Sequence, residues 1–166
     1  MITIRTTVEA DVEALTAIQR EAFLPLYERY HDAGNPCLRG EKDVRGRLGS
    51  PYFRYFTILE DGEIVGGVLY KCSGRSTPFV PLLGAGEYYL QRVYVRPDRQ
   101  SRGIAAEAIG LCEREFADAV RFIVDFPQDL DKNRRCYEKV GFTDTGRRLE
   151  AEPGLVLACF AKMTSA

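Results

Sequence analysis

The sequence predicts a single α/β domain with a mixed, largely antiparallel central sheet of six to seven strands flanked by helices. Three observations carry that expectation. Two runs rich in aromatic and β-branched residues, Tyr52 to Leu59 and Glu63 to Cys72, are joined by Glu60-Asp61-Gly62, and Asp-Gly between such runs is a strong hairpin signal. Glu87 to Val95, a helical apolar stripe and the apolar run Ala119 to Phe126 follow in the order strand, helix, strand, which implies a right-handed crossover and a parallel pair. Finally, 166 residues with 45% apolar content suffice for one core and are short for two, so 1–166 reads as one domain.

Taken in order, Ile2 to Arg5 forms a short strand. Thr6 or Thr7 then caps a helix, with Glu9 three residues after Thr6 at capping-box spacing. Val12, Leu15, Ile18 and Ala22 recur at helical spacing and carry that helix to about Phe23. Pro25 interrupts it, so Leu26 to His31 reads as a second short helix that stops near Gly34-Asn35-Pro36. Glu41 to Leu48 is another short helix, ended by Gly49-Ser50-Pro51. Inside the hairpin's second strand, Gly66-Gly67 removes side chains where a bend or a close neighbour is expected.

Lys71 to Gly86 lacks regular pattern and holds Pro78, Pro81, Gly84 and Gly86, a loop long enough to border the mouth of a site. Glu87 to Val95 feeds a helix with its apolar stripe at Ala105, Ala108, Ile109, Cys112 and Phe116. Asp129 to Val140 is a helix closed by Gly141 as a left-handed cap, and Phe142 to Leu149 and Leu155 to Met163 are the last strands.

Composition narrows the function. A formal net charge of −1 with 28% charged residues gives no broad pull toward nucleic acid or an anionic membrane. No apolar run approaches a membrane span, and Ile2-Thr3-Ile4-Arg5 is no signal-peptide core, so a cytoplasmic location is expected. Five scattered cysteines without a Cys-x-x-Cys pair point to reduced thiols rather than a disulfide framework or zinc site, and with His31 the lone histidine no metal is expected.

The stretch that carries chemistry is Val93 to Ala105. A strand with alternating valines ends at Pro97, and a turn with Gly103 opens a helix whose N-terminus offers free N–H groups and partial positive charge to an anion. Arg99 and Arg102 add formal charge beside it.

The pattern Val93-x-Val95-x-Pro97 followed by Gln100-x-x-Gly103-x-Ala105 resembles the cofactor motif of the GNAT family of N-acetyltransferases. Two further stretches join it in the right order: Ile4-Arg5 with Asp11 and Leu15, and Cys136-Tyr137-Glu138-Lys139-Val140-Gly141-Phe142, similar to the family's closing Tyr-Glu-Lys-x-Gly-Phe signature. The resemblance covers essentially the whole chain. It implies a sheet with a splayed parallel strand pair, acetyl-CoA as co-substrate, and direct acetyl transfer to a primary amine of a small molecule or peptide. It also implies that the backbone of Val93, Tyr94 and Val95 lines the pantetheine arm and that Gln100, Ser101, Arg102, Gly103, Ile104 and Ala105 take the pyrophosphate.

Tyr137 falls at the family's position for the acid that protonates the departing thiolate, a role that suits a phenol. The base is less evident. Counting back from Val95, Gln91 and Tyr89 stand where relatives often carry Glu or His, and Glu87 is the best carboxylate on the strand; it either serves as base, directly or through water, or is an exposed strand-end residue. The usual asparagine seven residues before the tyrosine is replaced by Leu130, and Asn133, one helical turn before Tyr137, is either its substitute or a solvent-facing residue. Tyr27, Tyr30, His31, Arg147-Arg148, Asp125 and Asp129 are candidates for the acceptor side. The same residues are compatible with another acyl group or acceptor, or with a CoA-binding module that does not turn over. Pairing of the last strands between subunits, common in the family, would give a homodimer.

Overall fold

The computed structural model describes residues 1–164. One seven-stranded sheet runs in the order β1-β2-β3-β4-β5-β7-β6. Its strands are β1 (Ile2–Thr6), β2 (Phe53–Glu60), β3 (Glu63–Lys71), β4 (Glu87–Val95), β5 (Arg121–Pro127), β6 (Thr143–Glu152) and β7 (Leu155–Met163). Every neighbouring pair is antiparallel except β4 with β5, which are parallel. Helices α1 (Val12–Tyr30) and α2 (Glu41–Arg45) cover one face, and α3 (Ile104–Glu113) and α4 (Asp131–Lys139) the other. No helix of the described residues is long and apolar enough to cross a membrane.

The sheet is built where the sequence alternates or turns. Asp61 and Gly62 take φ of 48° and 85°, so both central residues of the β2–β3 turn are left-handed, as a tight hairpin with right-handed twist requires. Gly66 is obligatory for packing: a Cβ there would stand 2.1 Å from the Tyr94 carbonyl oxygen. The larger core joins β2 to β5 and β7 with α3, through Phe56, Tyr70, Phe116, Phe122 and Phe160. The opposite face packs Val12, Leu15 and Ile18 of α1 and Val44 of α2 on Tyr55, Leu69 and Tyr94.

Two local expectations are corrected. The first helix does not stop near Phe23, and Leu26 to His31 is no separate helix: α1 runs unbroken from Val12 to Tyr30 with Pro25 inside it. Proline removes one backbone donor, and that loss is tolerated here because both ends of the segment are held. Ala22 and Phe23 pack on the α1-side core, while Arg29 bonds Asp129 and the Tyr30 hydroxyl donates to Asp129 Oδ1 at 2.5 Å. The other correction concerns the helix start. A 3-10 turn, Glu9–Asp11, precedes α1, and Asp11 rather than Glu9 reaches back to accept the Val8 N–H at 3.0 Å. Thr7 instead shares a hydrogen bond with Thr57 across the sheet at 2.8 Å.

Candidate functional site

β4 and β5 pair only from Glu87 opposite Arg121 to Leu90 opposite Val124, and beyond that point they diverge. Residues 91–95 of β4 and 125–127 of β5 therefore carry backbone groups that no neighbouring strand of this pair satisfies, a V-shaped opening in the sheet. A bulge sits at its apex. Leu90 lies opposite Tyr70 and Arg92 opposite Leu69, so Gln91 is the extra residue of β4.

The bulge reverses the side-chain phase of the strand, and the alternate-residue count made from Val95 back to Glu87 does not hold across it. Val93 and Val95 pack toward α3, as do Tyr88 and Leu90, whereas Tyr89 and Tyr94 point to the α1 side. Tyr89 thus faces away from Val93, not with it. Arg92, turned to the same side as Tyr94, donates to Gln19 Oε1 at 3.1 Å and Asp43 Oδ2 at 2.6 Å, which anchors β4 to both helices of that face.

β4 leads through the 3-10 turn Pro97–Arg99 to Ser101 and Gly103, with φ of 65° and 80°, and then into α3. Gln100 Nε2 donates to the Val95 carbonyl at 2.9 Å and pins the turn to the strand. The N–H groups of the first turn of α3 follow from there. A Cβ built on Gly103 would stand 3.5 Å from Lys139 Nζ, so this left-handed glycine keeps a concave backbone open beneath a cation of α4.

The arginines here are not equivalent. Arg99 bonds Glu60 and, at 3.2 Å, Glu63; Arg96 bonds Glu63 at 2.5 Å and Asp98 at 2.8 Å. The charge expected from Arg99 is consumed within the protein. Arg102 has no ion pair among the described residues, and with Lys139 and Lys132, which donates to Gln100 Oε1 at 3.4 Å, it supplies the positive field at the turn.

Tyr137 of α4 is 6% exposed and packs against Phe126 of β5 with ring centroids 5.2 Å apart and the planes tilted by 41°. Burial first, then the Cys136 thiol and the Asp125 carboxylate, holds its phenol well above the ordinary tyrosine range, so it remains protonated at neutral pH. Asn133 lies one turn earlier on the same face of α4, half-buried, and Leu130 precedes the helix. Gly141, at φ 102°, closes α4 as expected, and Phe142 N–H returns to the Tyr137 carbonyl at 3.0 Å.

Glu87 stands at the closed end of the β4–β5 pair. Its Oε1 accepts the Gly84 N–H at 2.7 Å and its Oε2 pairs with Arg121 at 2.7 Å. It does not converge with Tyr137. Asp125 is the first residue of β5 past the last paired position; it shares the α1-side face with Ile123 and Tyr89, whereas Tyr137 packs with Phe126 on the α3 side. A lone carboxylate within the apolar run Phe122-Ile123-Val124-Asp125-Phe126 was the signal for it in the sequence.

On the α1 side, Phe79 and Leu83 of the 72–86 segment pack on Tyr89, Ile123 and Cys159. That loop is a lid on the sheet rather than a free excursion, and an open cavity of about 350 Å³ lies between it and Lys71. A larger depression of about 490 Å³, between α1 and the 40–42 segment, contains none of these residues.

Comparison with known proteins gives one family. The model described as Acetyltransferase (GNAT) family matches residues 12–142. The uncharacterized protein YrkN of Bacillus subtilis is 25% identical over 136 residues, 81% of this chain and 69% of its own. The ribosomal-protein-alanine N-acetyltransferase of Brucella melitensis superposes with a TM-score of 0.74 at 20% identity, over 98% of this chain and 99% of that one. YncA of Salmonella typhimurium, a putative acetyltransferase solved with acetyl-CoA, gives 0.69 at 20% identity over 99% and 94%.

Proposed function

Since the chain belongs to the acetyltransferase (GNAT) family, we propose that it transfers the acetyl group of acetyl-CoA directly to a primary amine of a small molecule or peptide. The observation that carries this reading is the continuity of the unpaired edge of β4 with the left-handed turn at Ser101 and Gly103, beside the phenol of Tyr137. An extended pantetheine arm can hydrogen-bond the open edge at Val93 to Val95 as a further strand would, since the partner strand has already diverged. At the end of that edge, the N–H groups from Gln100 to Ala105 and the cations Arg102 and Lys139 fit a pyrophosphate, because Gly103 leaves its concavity unfilled.

The chemistry needs a neutral amine, a polarised carbonyl and a proton for sulfur. Backbone N–H groups at the bulge can polarise the thioester oxygen. As the amine nitrogen bonds to the carbonyl carbon and the C–S bond breaks, the thiolate leaves with the electron pair and Tyr137 donates its proton to it. Its raised pKa keeps that proton in place until the thiolate forms. In this reading Asn133, one turn before Tyr137 on α4, serves as a further contact for the arm.

The test is thiol release from acetyl-CoA with alkylamines and with peptides bearing a free N-terminus. Turnover with at least one amine is expected, and Tyr137→Phe, which keeps the ring contact with Phe126, should lower kcat by about 100-fold. Acetyl-CoA binding without turnover across the panel would sink the enzyme reading; a Tyr137→Phe rate near wild type would sink the acid.

A further inference from the structure

A surplus of positive charge sits on the α1-side face of the sheet. In a chain of formal net charge −1, the cavity of about 350 Å³ between Lys71 and the 72–86 loop is lined by Lys71, Arg75 and Ser76 and by no acidic side chain. Lys71 lies opposite Phe53 of β2 and Tyr89 of β4, which places it on that face, one strand from the opening. Half-buried, it donates to the Ser76 carbonyl at 3.1 Å and has no carboxylate partner among the described residues. Arg75 has no ion pair there either. Its guanidinium is held over the rings of Tyr52 at 4.3 Å and Phe53 at 6.0 Å.

The neighbouring cations do not redress the balance. Arg47 also lies over Phe53, at 5.3 Å, and shares its one carboxylate, Asp43, with Arg92; its Nε is buried without an acceptor. At the loop's far flank, Arg147 lies over the Phe79 ring at 5.4 Å without an ion pair, whereas Arg148 is spent on Asp144. Among the charges that act most on Lys71, Arg47, Arg75 and Arg92 stand against the single carboxylate of Asp125. Burial and those arginines hold the Lys71 ammonium below the ordinary lysine range. Cations gathered beside a cavity without counterions cost free energy that an anion entering it would offset.

Resting on the acetyltransferase reading, we infer that Lys71 and Arg75 bind an anionic group, a carboxylate or a phosphate, carried by the acceptor itself, so that the substrate is a small amine bearing an acidic group. The anion is not the cofactor's pyrophosphate. From Tyr89, opposite Lys71, to Val95 at the phosphate turn is six residues of strand, about 20 Å. The opening between β4 and β5, in contrast, is one strand spacing from β3, about 5 Å, so one small molecule can span both.

The experiment measures thiol release with glycine, β-alanine, 4-aminobutyrate and 5-aminopentanoate, each against its neutral amide, and with 2-aminoethyl and 3-aminopropyl phosphate against ethylamine and propylamine. For at least one pair, kcat/KM should favour the anionic member by about 10-fold or more, chiefly through KM, and the larger ratio names the anion. Arg75→Gln and Lys71→Gln should each cut that ratio to below about 3, Arg75→Lys should retain most of it, and acetyl-CoA KM should stay within about twofold. Arg75 is an exposed loop residue, so its substitution leaves the fold intact, and Arg114→Gln, an exposed cation at the end of α3, should leave the ratio unchanged. Ratios within about twofold of unity for every pair, or a ratio that Arg75→Gln and Lys71→Gln do not move, overturn the assignment.

A second arm is independent of turnover. The Arg75 Nε–H resonance is titrated with sodium butyrate, with n-propyl phosphate and with n-butylammonium chloride. A saturable shift with either anion and none with n-butylammonium supports the site, and no shift with either anion overturns it. A shift with an anion in a protein that turns over no amine would overturn the acetyltransferase reading while leaving the anion site standing.

Discussion

Gly66 of β3 and Tyr94 of β4 approach so closely that a methyl group on the glycine would lie 2.1 Å from the tyrosine carbonyl oxygen and 3.1 Å from Val95 Cα. Both obstacles are backbone, which cannot rotate away. Gly66→Ala must therefore push β4 off β3 along the part of the strand that carries the open edge. The expected loss is at least about 3 kcal/mol in chemical denaturation, together with weaker acetyl-CoA binding. Gly110→Ala is the matched control. Gly110 sits inside α3 with nothing within 4 Å of its added Cβ, so that substitution should stabilise by about 0.5–1 kcal/mol. If both alanines behaved alike, close packing at Gly66 would not be what matters.

Where the sequence was legible, the physics was local. The Asp61-Gly62 turn, the left-handed Gly103 and the cap at Gly141 each rest on a backbone conformation that glycine or a short polar residue adopts at little cost. The strand-helix-strand order likewise forces a parallel pair, and β4 with β5 is that pair. What escaped depended on distant partners. The bulge at Gln91 exists only in register with β3, so no count along β4 alone could place Tyr89 and Val93 on opposite faces. Pro25 fails to end α1 because Arg29 and Tyr30 are tied to Asp129, about 100 residues on. Arg99 is neutralised by Glu60 and Glu63 across the sheet edge.

Asp11 shows how one buried carboxylate holds the first strand to the first helix. It is 2% exposed and accepts from Arg5 at 2.5 and 2.9 Å, from Val8 N–H at 3.0 Å and from Thr57 Oγ1 at 3.0 Å. Burial alone would raise its pKa, but the Arg5 guanidinium and the other donors outweigh it and hold the carboxyl below the usual range. A depressed folded pKa gives stability that is present above the ordinary carboxylate value of about 4 and is lost as pH falls through the lower folded value. Asp11→Asn should accordingly cost about 2–3 kcal/mol at pH 7, with the difference from wild type shrinking below pH ~4. Urea denaturation at pH 7, 5 and 3 measures it. A difference independent of pH would mean that the charge on Asp11 contributes nothing.

The cations at the turn can be ranked by what already holds them. Arg99 is spent on Glu60 and Glu63, and Arg96 on Glu63 and Asp98. Lys139 is left over the Gly103 concavity, and Arg102, the chain neighbour of Gly103, has no ion pair among the described residues, so Arg102→Gln and Lys139→Gln should each raise the acetyl-CoA KM about 3- to 10-fold at low salt, and by less as ionic strength screens the phosphate contact. Arg99→Gln should behave differently. It frees two acidic side chains next to the turn, so its effect on KM comes from repulsion of the phosphates, and Glu60→Gln in the same chain should reverse part of it. Initial rates against acetyl-CoA at 20 and 300 mM salt would separate the two behaviours. Equal, salt-independent effects of Arg99→Gln and Lys139→Gln would show that the charge at this turn is diffuse rather than carried by the two unspent side chains.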